Sequence, residues 1–158
     1  DEKKTEIQRI IPNLKKLSNT ITKDIDIEVY EGLAGIKKVL DEIIEQAKEV
    51  FVMANEKNAT EITRHHPENF RMKRLEKKIK IKNLVEESKI ARKLYSDKYS
   101  EVRHSKALNE SNEVLIIYNN KTAHMIINEP ITTIKITSKE YAKTQRTLFT
   151  SLWNHSKL

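Results

Sequence analysis

The sequence lacks several residues on which common functional sites depend. It contains no cysteine and only two glycines, Gly32 and Gly35, among its 158 residues. Without cysteine there is no disulfide, no zinc site built on thiolates and no cysteine nucleophile. A Walker loop or a dinucleotide fingerprint needs two or three glycines at fixed offsets, so these two glycines do not supply either motif. The absences exclude the enzyme classes that depend on those sites.

Long hydrophobic runs are also missing. No apolar run approaches the ~20 residues that cross a bilayer, and the N-terminal stretch DEKKTEIQRI is too polar for a signal peptide. We therefore expect a cytoplasmic protein without a membrane partner. The length fits one domain, which can bury roughly 70% of its unfolded surface. The chain begins with Asp rather than Met, and we expect a fragment of a longer protein.

Positive charge is concentrated in the middle of the chain. The sequence has 30 Lys and Arg against 23 Asp and Glu, a net charge of +7. Residues 64–106 hold 14 basic and 6 acidic residues, a net +8, which leaves −1 for the remainder. Such a block is typical of a nucleic-acid footprint, and it is equally typical of a solvated helix face. The sequence leaves both interpretations open.

The N-terminal segment carries a short heptad pattern. Apolar residues spaced three and four apart predict an amphipathic helix with one narrow apolar seam, which needs a partner surface in its own domain or in a second copy. Pro12 either kinks this helix or starts it again. We predict that residues 1–25 form a linker and dimerisation helix, and that the chain is a homodimer. The seam consists of Ile7, Ile10, Leu14, Leu17 and Ile21.

Strand and helix patterns alternate from residue 26 onward. An alternating strand at residues 26–30 precedes an amphipathic helix at residues 36–47 and a buried strand at residues 50–54, which together predict a parallel βαβ unit. Residues 55–66 are polar and predict a loop. A helix containing Phe70 and Leu75 is predicted to follow from Pro67, and helical spacing recurs at residues 90–95.

The C-terminal half predicts strands and a final helix. Strands are expected at residues 79–85, 101–104, 114–118, 122–127 and 131–136, with a hairpin turn at Asn119 and Asn120. Thr137 and Glu140 have the spacing of a capping box at the start of the last helix. The residues predicted to face inward on this helix are Tyr141, Ala142, Leu148, Phe149, Leu152 and Trp153.

Catalytic and metal-binding motifs are weak. The five histidines do not have the spacing of a zinc site, and no G-x-S-x-G elbow presents a serine nucleophile. His104 and Lys106 almost match the phospholipase D motif H-x-K-x4-D, but Ser111 occupies the aspartate position and only one copy is present. We therefore predict no catalytic residue, no metal and no cofactor.

The order of motifs resembles the C-terminal region of archaeal TrmB-like transcription regulators. The resemblance spans residues 26–158 and depends on residues 29–40, on a strand, Asn turn and strand at residues 116–123, and on the final run from residue 136 to Trp153. It implies an α/β fold like that of phospholipase D, a mixed sheet with helices on its faces. The predicted regulatory domain is therefore residues 26–158.

The same resemblance implies a regulator without catalysis. The catalytic His, Lys and Asp positions of phospholipase D are aligned with Asn112, Val114 and Asn119, none of which can perform that chemistry. TrmB-like regulators place a DNA-binding winged helix before the dimerisation helix, and we expect that module to be absent from this chain. Any small-molecule effector would bind at the carboxyl ends of the parallel strands. Arg103, His104 and Lys106 follow one such strand and are the candidates, with exposed loop charge as the alternative.

Overall fold

The computed structural model describes residues 24–64, 70–87 and 97–156. Within these ranges strands and helices alternate in the first half, and strands dominate the second half. The predicted N-terminal helix and the predicted helix at residues 90–95 lie outside the described residues. The elements are β1 (Asp26–Glu31), α1 (Leu33–Gln46), β2 (Glu49–Ala54), α2 (Glu56–Arg64), α3 (Phe70–Glu76), β3 (Lys80–Val85), β4 (Ser100–His104), a 3₁₀ turn (Lys106–Leu108), β5 (Glu113–Tyr118), β6 (Lys121–Ile126), β7 (Thr132–Thr137) and α4 (Lys139–Asn154).

The described strands form one mixed sheet in the order β1-β7-β6-β5-β2-β3-β4. Strands β2, β3 and β4 are parallel neighbours, and every other pairing is antiparallel. Strands β1 and β2 run in the same direction, as the predicted βαβ unit requires. They are not neighbours, however, because β5, β6 and β7 lie between them. The mixed α/β class predicted from the sequence is confirmed.

Two apolar clusters cover the two faces of the sheet. The larger cluster packs α1 and α2 against one face and includes Ile36, Val50 and Ile116. The smaller cluster packs α4 against the other face through Phe149 and Trp153. Gly35 lies where α1 crosses β7, and a Cβ there would stand 2.7 Å from the side chain of Thr133. Glycine is needed at this position because the helix and the strand approach so closely.

The predicted loop at residues 55–66 is wrong, because helix α2 occupies most of it. Asn55 caps this helix, since its Oδ1 accepts a hydrogen bond from Asn58 N at 2.9 Å. Ala59 and Ile62, three residues apart, are buried on the inner side of the helix. A side-chain cap and two inward apolar residues are enough to form the helix despite its polar composition.

The start of helix α4 is shifted by one residue from the predicted capping box. Ser138 is the N-cap, and its hydroxyl accepts a hydrogen bond from Tyr141 N at 3.2 Å, whereas Thr137 is the last residue of β7. The inward face is narrower than predicted, because Leu148 and Leu152 are 53% and 38% exposed. The buried residues of this helix are Ala142, Phe149 and Trp153.

The remaining strand predictions are confirmed within one or two residues. Asn119 adopts a φ of 49° at the β5–β6 turn, which is the left-handed conformation that asparagine tolerates. None of the helices in residues 24–64, 70–87 and 97–156 is long and apolar enough to span a bilayer.

Candidate functional site

Strand β5 carries the positions at which phospholipase D chemistry would be expected. Asn112 is exposed just before the strand, Val114 is 2% exposed within the core, and Asn119 lies beyond the far end. Asn119 is held in place because its side-chain amide donates to the carbonyl of Gln46 at 3.3 Å. Strand β5 therefore presents an apolar side chain where the aligned motif has lysine.

The turn before β5 is fixed by two asparagines of the neighbouring α2 region. The side-chain amides of Asn55 and Asn58 both donate to the carbonyl of Ser111, at 2.6 and 2.7 Å. Asn58 is 2% exposed, so this contact is part of the protein interior. Helix α2 and strand β5 are thus joined at the end of the sheet where β2 terminates.

A cavity of about 370 Å³ lies beside Val114, between the sheet and the helices of one face. Most of its wall is apolar, which is typical of small-molecule sites, and its volume is in the range of such sites. Its apolar lining is formed by Leu40, Ile43, Val50, Val52, Ala59, Ile62, Phe70, Ile81, Val114 and Ile116, and its polar lining by Thr60, Arg71, Arg74, Asn83, Asp97 and Ser100.

One end of this cavity is polar and tightly organised. The buried guanidinium of Arg74 donates through Nη1 to the carbonyl of Ile79 at 3.0 Å and through Nη2 to the carboxylate of Asp97. Arg71 Nε lies 3.7 Å from the same carboxylate. Asn83 donates to the hydroxyl of Ser100 at 3.0 Å. Two guanidinium groups therefore surround one carboxylate.

The three predicted effector residues make contacts in different places. Arg103 faces α4, where it donates to the carbonyl of Trp153 at 2.7 Å and lies 4.9 Å from the indole ring. His104 is 4% exposed and places its Nδ1 2.9 Å from the carbonyl of Glu86. Lys106 is exposed, 3.9 Å from the carboxylate of Glu87. Their role in effector binding stays a prediction.

A buried charge network connects α1 to strands β1, β5, β6 and β7 on the face of the sheet that α1 covers. Glu42 accepts hydrogen bonds from Lys135 at 2.9 Å, from Lys121 at 3.1 Å and from the hydroxyl of Tyr118 at 2.9 Å. Lys135 also pairs with Glu28 on β1. Burial and the hydrogen bond to Glu42 raise the pKa of Tyr118, which therefore remains a hydrogen-bond donor.

Sequence reasoning missed this network. In β7 the isoleucines Ile134 and Ile136 alternate with Thr133 and Lys135, and the alternation alone favours the isoleucines as the buried face. The structure buries Thr133 and Lys135 instead, toward α1. The register against β1 gives the reason, because Lys135 lies opposite Glu28 and close to Glu42. The sequence signal that could have indicated the network was Glu42, a charged residue directly before the inward-facing Ile43.

No metal site is found among the residues that the structure describes. In that part of the chain, no group of three or more His, Asp or Glu side chains could hold an ion. His124 instead forms a chain with its neighbours, since its Nδ1 contacts the carboxylate of Glu113 and its Nε2 lies 3.3 Å from the hydroxyl of Tyr141. His65 and His66 lie outside the described residues.

Comparison with known proteins gives similarity in structure but not in sequence. No protein-family model matches the chain, and no curated protein matches it. The structure is similar to TrmBL2, an archaeal chromatin protein with a novel mode of DNA binding, at a TM-score of 0.61 and 14% identity. That match covers 99% of this chain and 64% of TrmBL2, so the chain spans less than two thirds of that neighbour.

Two further neighbours are matched over almost their whole length. NucT from Helicobacter pylori matches at a TM-score of 0.59 and 13% identity, covering 85% of this chain and 99% of NucT. Nuc from Salmonella typhimurium, a phospholipase D family member, matches at a TM-score of 0.57 and 13% identity, covering 85% of this chain and 97% of Nuc. The fold is phospholipase D-like. At these identities the similarity concerns the fold alone.

The phospholipase D-like fold contains a carboxylate whose charge depends on its neighbours. Burial by itself would raise the pKa of Glu42, but hydrogen bonds from Lys135, Lys121 and Tyr118 outweigh it and lower the pKa from 4.5 to about 2. Glu28 also has a lowered pKa, mainly because it accepts hydrogen bonds from Lys135 and Tyr30. Both carboxylates are thereby held ionised in the folded state.

We expect this phospholipase D-like domain to lose stability in acid. A carboxyl group whose pKa is lower in the folded state stabilises the fold above its unfolded pKa and loses that contribution as the pH falls through its folded pKa. For Glu42 that range extends from about 4.5 to about 2, and the shift corresponds to ~3 kcal/mol. Urea denaturation at a series of pH values should reveal the slope. Glu42→Gln should flatten it, whereas Asp41→Asn, on the same helix, should retain it; an equal slope in Glu42→Gln would contradict the assignment.

Proposed function

We propose that this chain is a non-catalytic dimerisation and effector-sensing domain of a TrmB-like transcription regulator. The observation that supports this most directly is Val114, a core residue on the strand where the aligned phospholipase D motif requires lysine. An apolar cavity beside Val114 supports ligand binding without phosphodiester chemistry. DNA would be contacted by a part of the protein outside these 158 residues.

A turnover assay tests the absence of catalysis. With bis(4-nitrophenyl) phosphate as a generic diester, we expect the rate to equal that of the buffer blank, because neither Val114 nor Asn112 can replace the missing lysine and histidine. His104→Ala tests the remaining near match to the motif, and His155→Ala, an exposed histidine after α4, is its control. A rate that disappears in His104→Ala but not in His155→Ala would favour a phosphodiesterase instead.

Dimerisation through the N-terminal seam is the second part of the proposal. The seam residues lie outside the described residues, but the chain that follows them is unusually apolar at its surface. Ile27 and Val29 on edge strand β1 are 53% and 63% exposed, and Ile25 just before it is 40% exposed. Contiguous exposed apolar residues of this kind are typical of interaction surfaces.

A single charge in the seam should separate the subunits. We expect the chain to sediment as a dimer at micromolar concentration and Leu14→Asp to sediment as a monomer, because a seam of two heptads does not tolerate a buried unpaired charge. Lys15→Asp places the same carboxylate outside the seam and should remain dimeric. A wild-type monomer with residues 1–25 intact would remove this part of the proposal.

Direct nucleic-acid binding by residues 64–106 is the second candidate function. The basic block does not form a single footprint, because Arg74 is buried against Asp97 and Arg103 is directed toward α4. A smaller set of exposed lysines favours this candidate: Lys73 on α3, Lys78 in the turn after it and Lys80 at the start of β3. Within the described part of the chain these three lysines have no ion pair with a carboxylate.

The salt dependence of binding distinguishes this candidate. If the lysines contact phosphates, the affinity for duplex DNA should fall steeply with salt, and the double change Lys78→Glu with Lys80→Glu should reduce the log–log slope by about 2. Lys37→Glu with Lys57→Glu changes the net charge equally at a distance from the α3–β3 corner and should leave the slope nearly unchanged. Failure to retard single-stranded or duplex DNA at low salt would exclude this function.

A further inference from the structure

We propose that an apolar patch on strands β1 and β7 binds the N-terminal seam of a second copy of the chain. This inference rests on the proposed dimerisation and deepens it, because it names the surface that the seam covers. The occupant is residues 13–23 of the second copy. We call the surface the β1–β7 patch, and it consists of Ile27, Val29, Ile134 and Ile136.

The strand register places these four side chains next to one another. Ile27 lies opposite Ile136, and Val29 lies opposite Ile134. Residues that are directly opposite in paired strands share a face of the sheet and are in contact distance. Ile27 and Val29 are 53% and 63% exposed, and the two isoleucines of β7 are half-buried. The patch is therefore a contiguous apolar surface that is partly open to water.

The patch lies on the face of the sheet that α4 covers. From Ile136 the row of paired residues continues through Thr122 to Ile117, which packs beneath α4. The buried sheet residues of that cluster come from β2, β3 and β5, so the contact of α4 with the sheet is centred away from β1 and β7. The opposite face of β1 is already in use, because Glu28 pairs there with Lys135. A helix on the patch would lie beside α4.

Charge favours the N-terminal segment as the occupant. Residues 24–31, which include β1, contain four acidic residues and no basic residue. Residues 13–23 contain three lysines and no acidic residue. Asp26 and Glu31, at the two ends of β1, are exposed. A seam laid on the patch would bring its lysines to an acidic strand, and such complementary charge favours the correct partner and orientation.

The length of the seam also favours a preformed surface over a coiled coil. Because Pro12 either kinks the predicted helix or starts it again, only Leu14, Leu17 and Ile21 belong to one uninterrupted apolar stripe. A coiled coil is indicated by three or four heptads, and isolated helices shorter than about 12–15 residues are marginal in water. On the patch, the same three side chains would pack against a surface that the sheet has already formed.

The occupant comes from a second copy. The exposed fractions of Ile27 and Val29 are those of one subunit, and only residues 22–24 separate Ile21 from Ile25. Such short connections favour the exchange of an element between protomers. Two-fold symmetry would form the contact twice, so each contact needs to bury only about half of the roughly 1,200–2,000 Å² of a stable interface.

Sedimentation of patch variants tests the surface. We expect Ile27→Lys to raise the dissociation constant of the dimer at least about tenfold, because it places a charge in an apolar contact and next to the lysines of the seam. Leu33→Lys is the matched control, since Leu33 is also 53% exposed but lies on α1, and it should keep the wild-type constant. Circular dichroism verifies folding, and Val29→Lys replaces Ile27→Lys if that variant does not fold.

Cross-linking tests the occupant, because the chain has no cysteine of its own. Leu14→Cys and Val29→Cys are prepared as separate proteins, mixed and treated with a short bismaleimide. We expect a covalent dimer in the mixture, and little of it when either protein is treated alone. Lys57→Cys, an exposed position on α2, is the control partner for Leu14→Cys and should give no covalent dimer.

The outcomes separate this inference from the dimerisation on which it rests. A wild-type monomer would remove both. A wild-type dimer whose dissociation constant is unchanged in folded Ile27→Lys or Val29→Lys would overturn the patch alone. Cross-linking of Leu14→Cys with itself would show that the seams pair with each other. A cross-link confined to single chains of the double variant Leu14→Cys with Val29→Cys would place the seam on its own subunit, and either result would overturn the proposal.

Discussion

Replacing Trp153 with alanine is expected to lower the free energy of unfolding by about 3–5 kcal/mol, as is usual when a large buried aromatic residue is truncated. Trp153 is 7% exposed and stacks on Phe149, with ring centroids 5.5 Å apart and planes inclined by 22°. Phe149 in turn meets Phe51 edge to face at 5.2 Å. These three rings are the centre of the smaller core cluster, and the change would leave a cavity within it.

The indole ring of Trp153 also makes cation–π contacts with two basic side chains. The Arg103 guanidinium lies 4.9 Å from its centroid and Lys82 Nζ lies 5.9 Å from it, and such contacts add roughly 0.5–1 kcal/mol each at exposed sites. Chemical denaturation of wild type and variant measures the difference. Leu152→Ala is the matched control, since Leu152 is the preceding residue but points outward, and it should cost under about 1 kcal/mol. Equal losses in the two variants would show that α4 does not pack as described.

Glu42→Ala should destabilise the fold by a similar amount, about 3–5 kcal/mol, through electrostatics rather than packing. The substitution removes the carboxylate that accepts hydrogen bonds from Lys135, Lys121 and the Tyr118 hydroxyl. Lys135, 4% exposed at its side chain, would keep only Glu28 as a partner. Tyr118, fully buried, would lose the acceptor for its hydroxyl. The cost arises because buried polar groups remain without compensation.

Two comparisons test that explanation. Asp41→Asn, one residue earlier in α1, weakens the solvent-exposed pair with Lys37 and should change the free energy of unfolding by under about 1 kcal/mol. The double variant Glu42→Leu with Lys135→Met removes both charges and should recover much of the lost stability, because apolar residues can replace a buried ion pair. If the double variant loses as much stability as the two single changes combined, the charges are not coupled.

Local sequence patterns predicted most of the elements but not their arrangement. The apolar stripe around Ile36 and Ile43 and the continuous run at Val114 identify α1 and β5 because each pattern is formed within one segment. Strand order is different, since the insertion of β5, β6 and β7 between β1 and β2 depends on pairings between distant residues. Helix α2 was missed because its main signals are one asparagine cap and two inward residues.

The candidate site was predicted less well than the fold, for a related reason. Arg103, His104 and Lys106 are neighbours in sequence, but alternation along β4 directs Arg103 and His104 to opposite faces of the sheet. The cavity is assembled from six helices and strands and the start of β4, and no two of its polar residues Arg74, Asn83 and Asp97 are adjacent in the chain. Only the resemblance to TrmB-like regulators and to phospholipase D indicated that β5 was the strand to inspect.

The pairing of β1 with β7 has a consequence for how the chain folds. Asp26 is paired with Thr137, and Glu42 reaches Lys135 across 93 positions of sequence. Contacts of such long range slow folding, because the closure entropy of the intervening loop must be overcome before they form. During synthesis on the ribosome, β1 therefore lacks its partner strand in the described sheet until β7 has emerged. The acidic residues Asp26, Glu28 and Glu31 keep the unpaired edge of β1 charged. Charged side chains on an exposed strand edge hinder its pairing with strands of other chains.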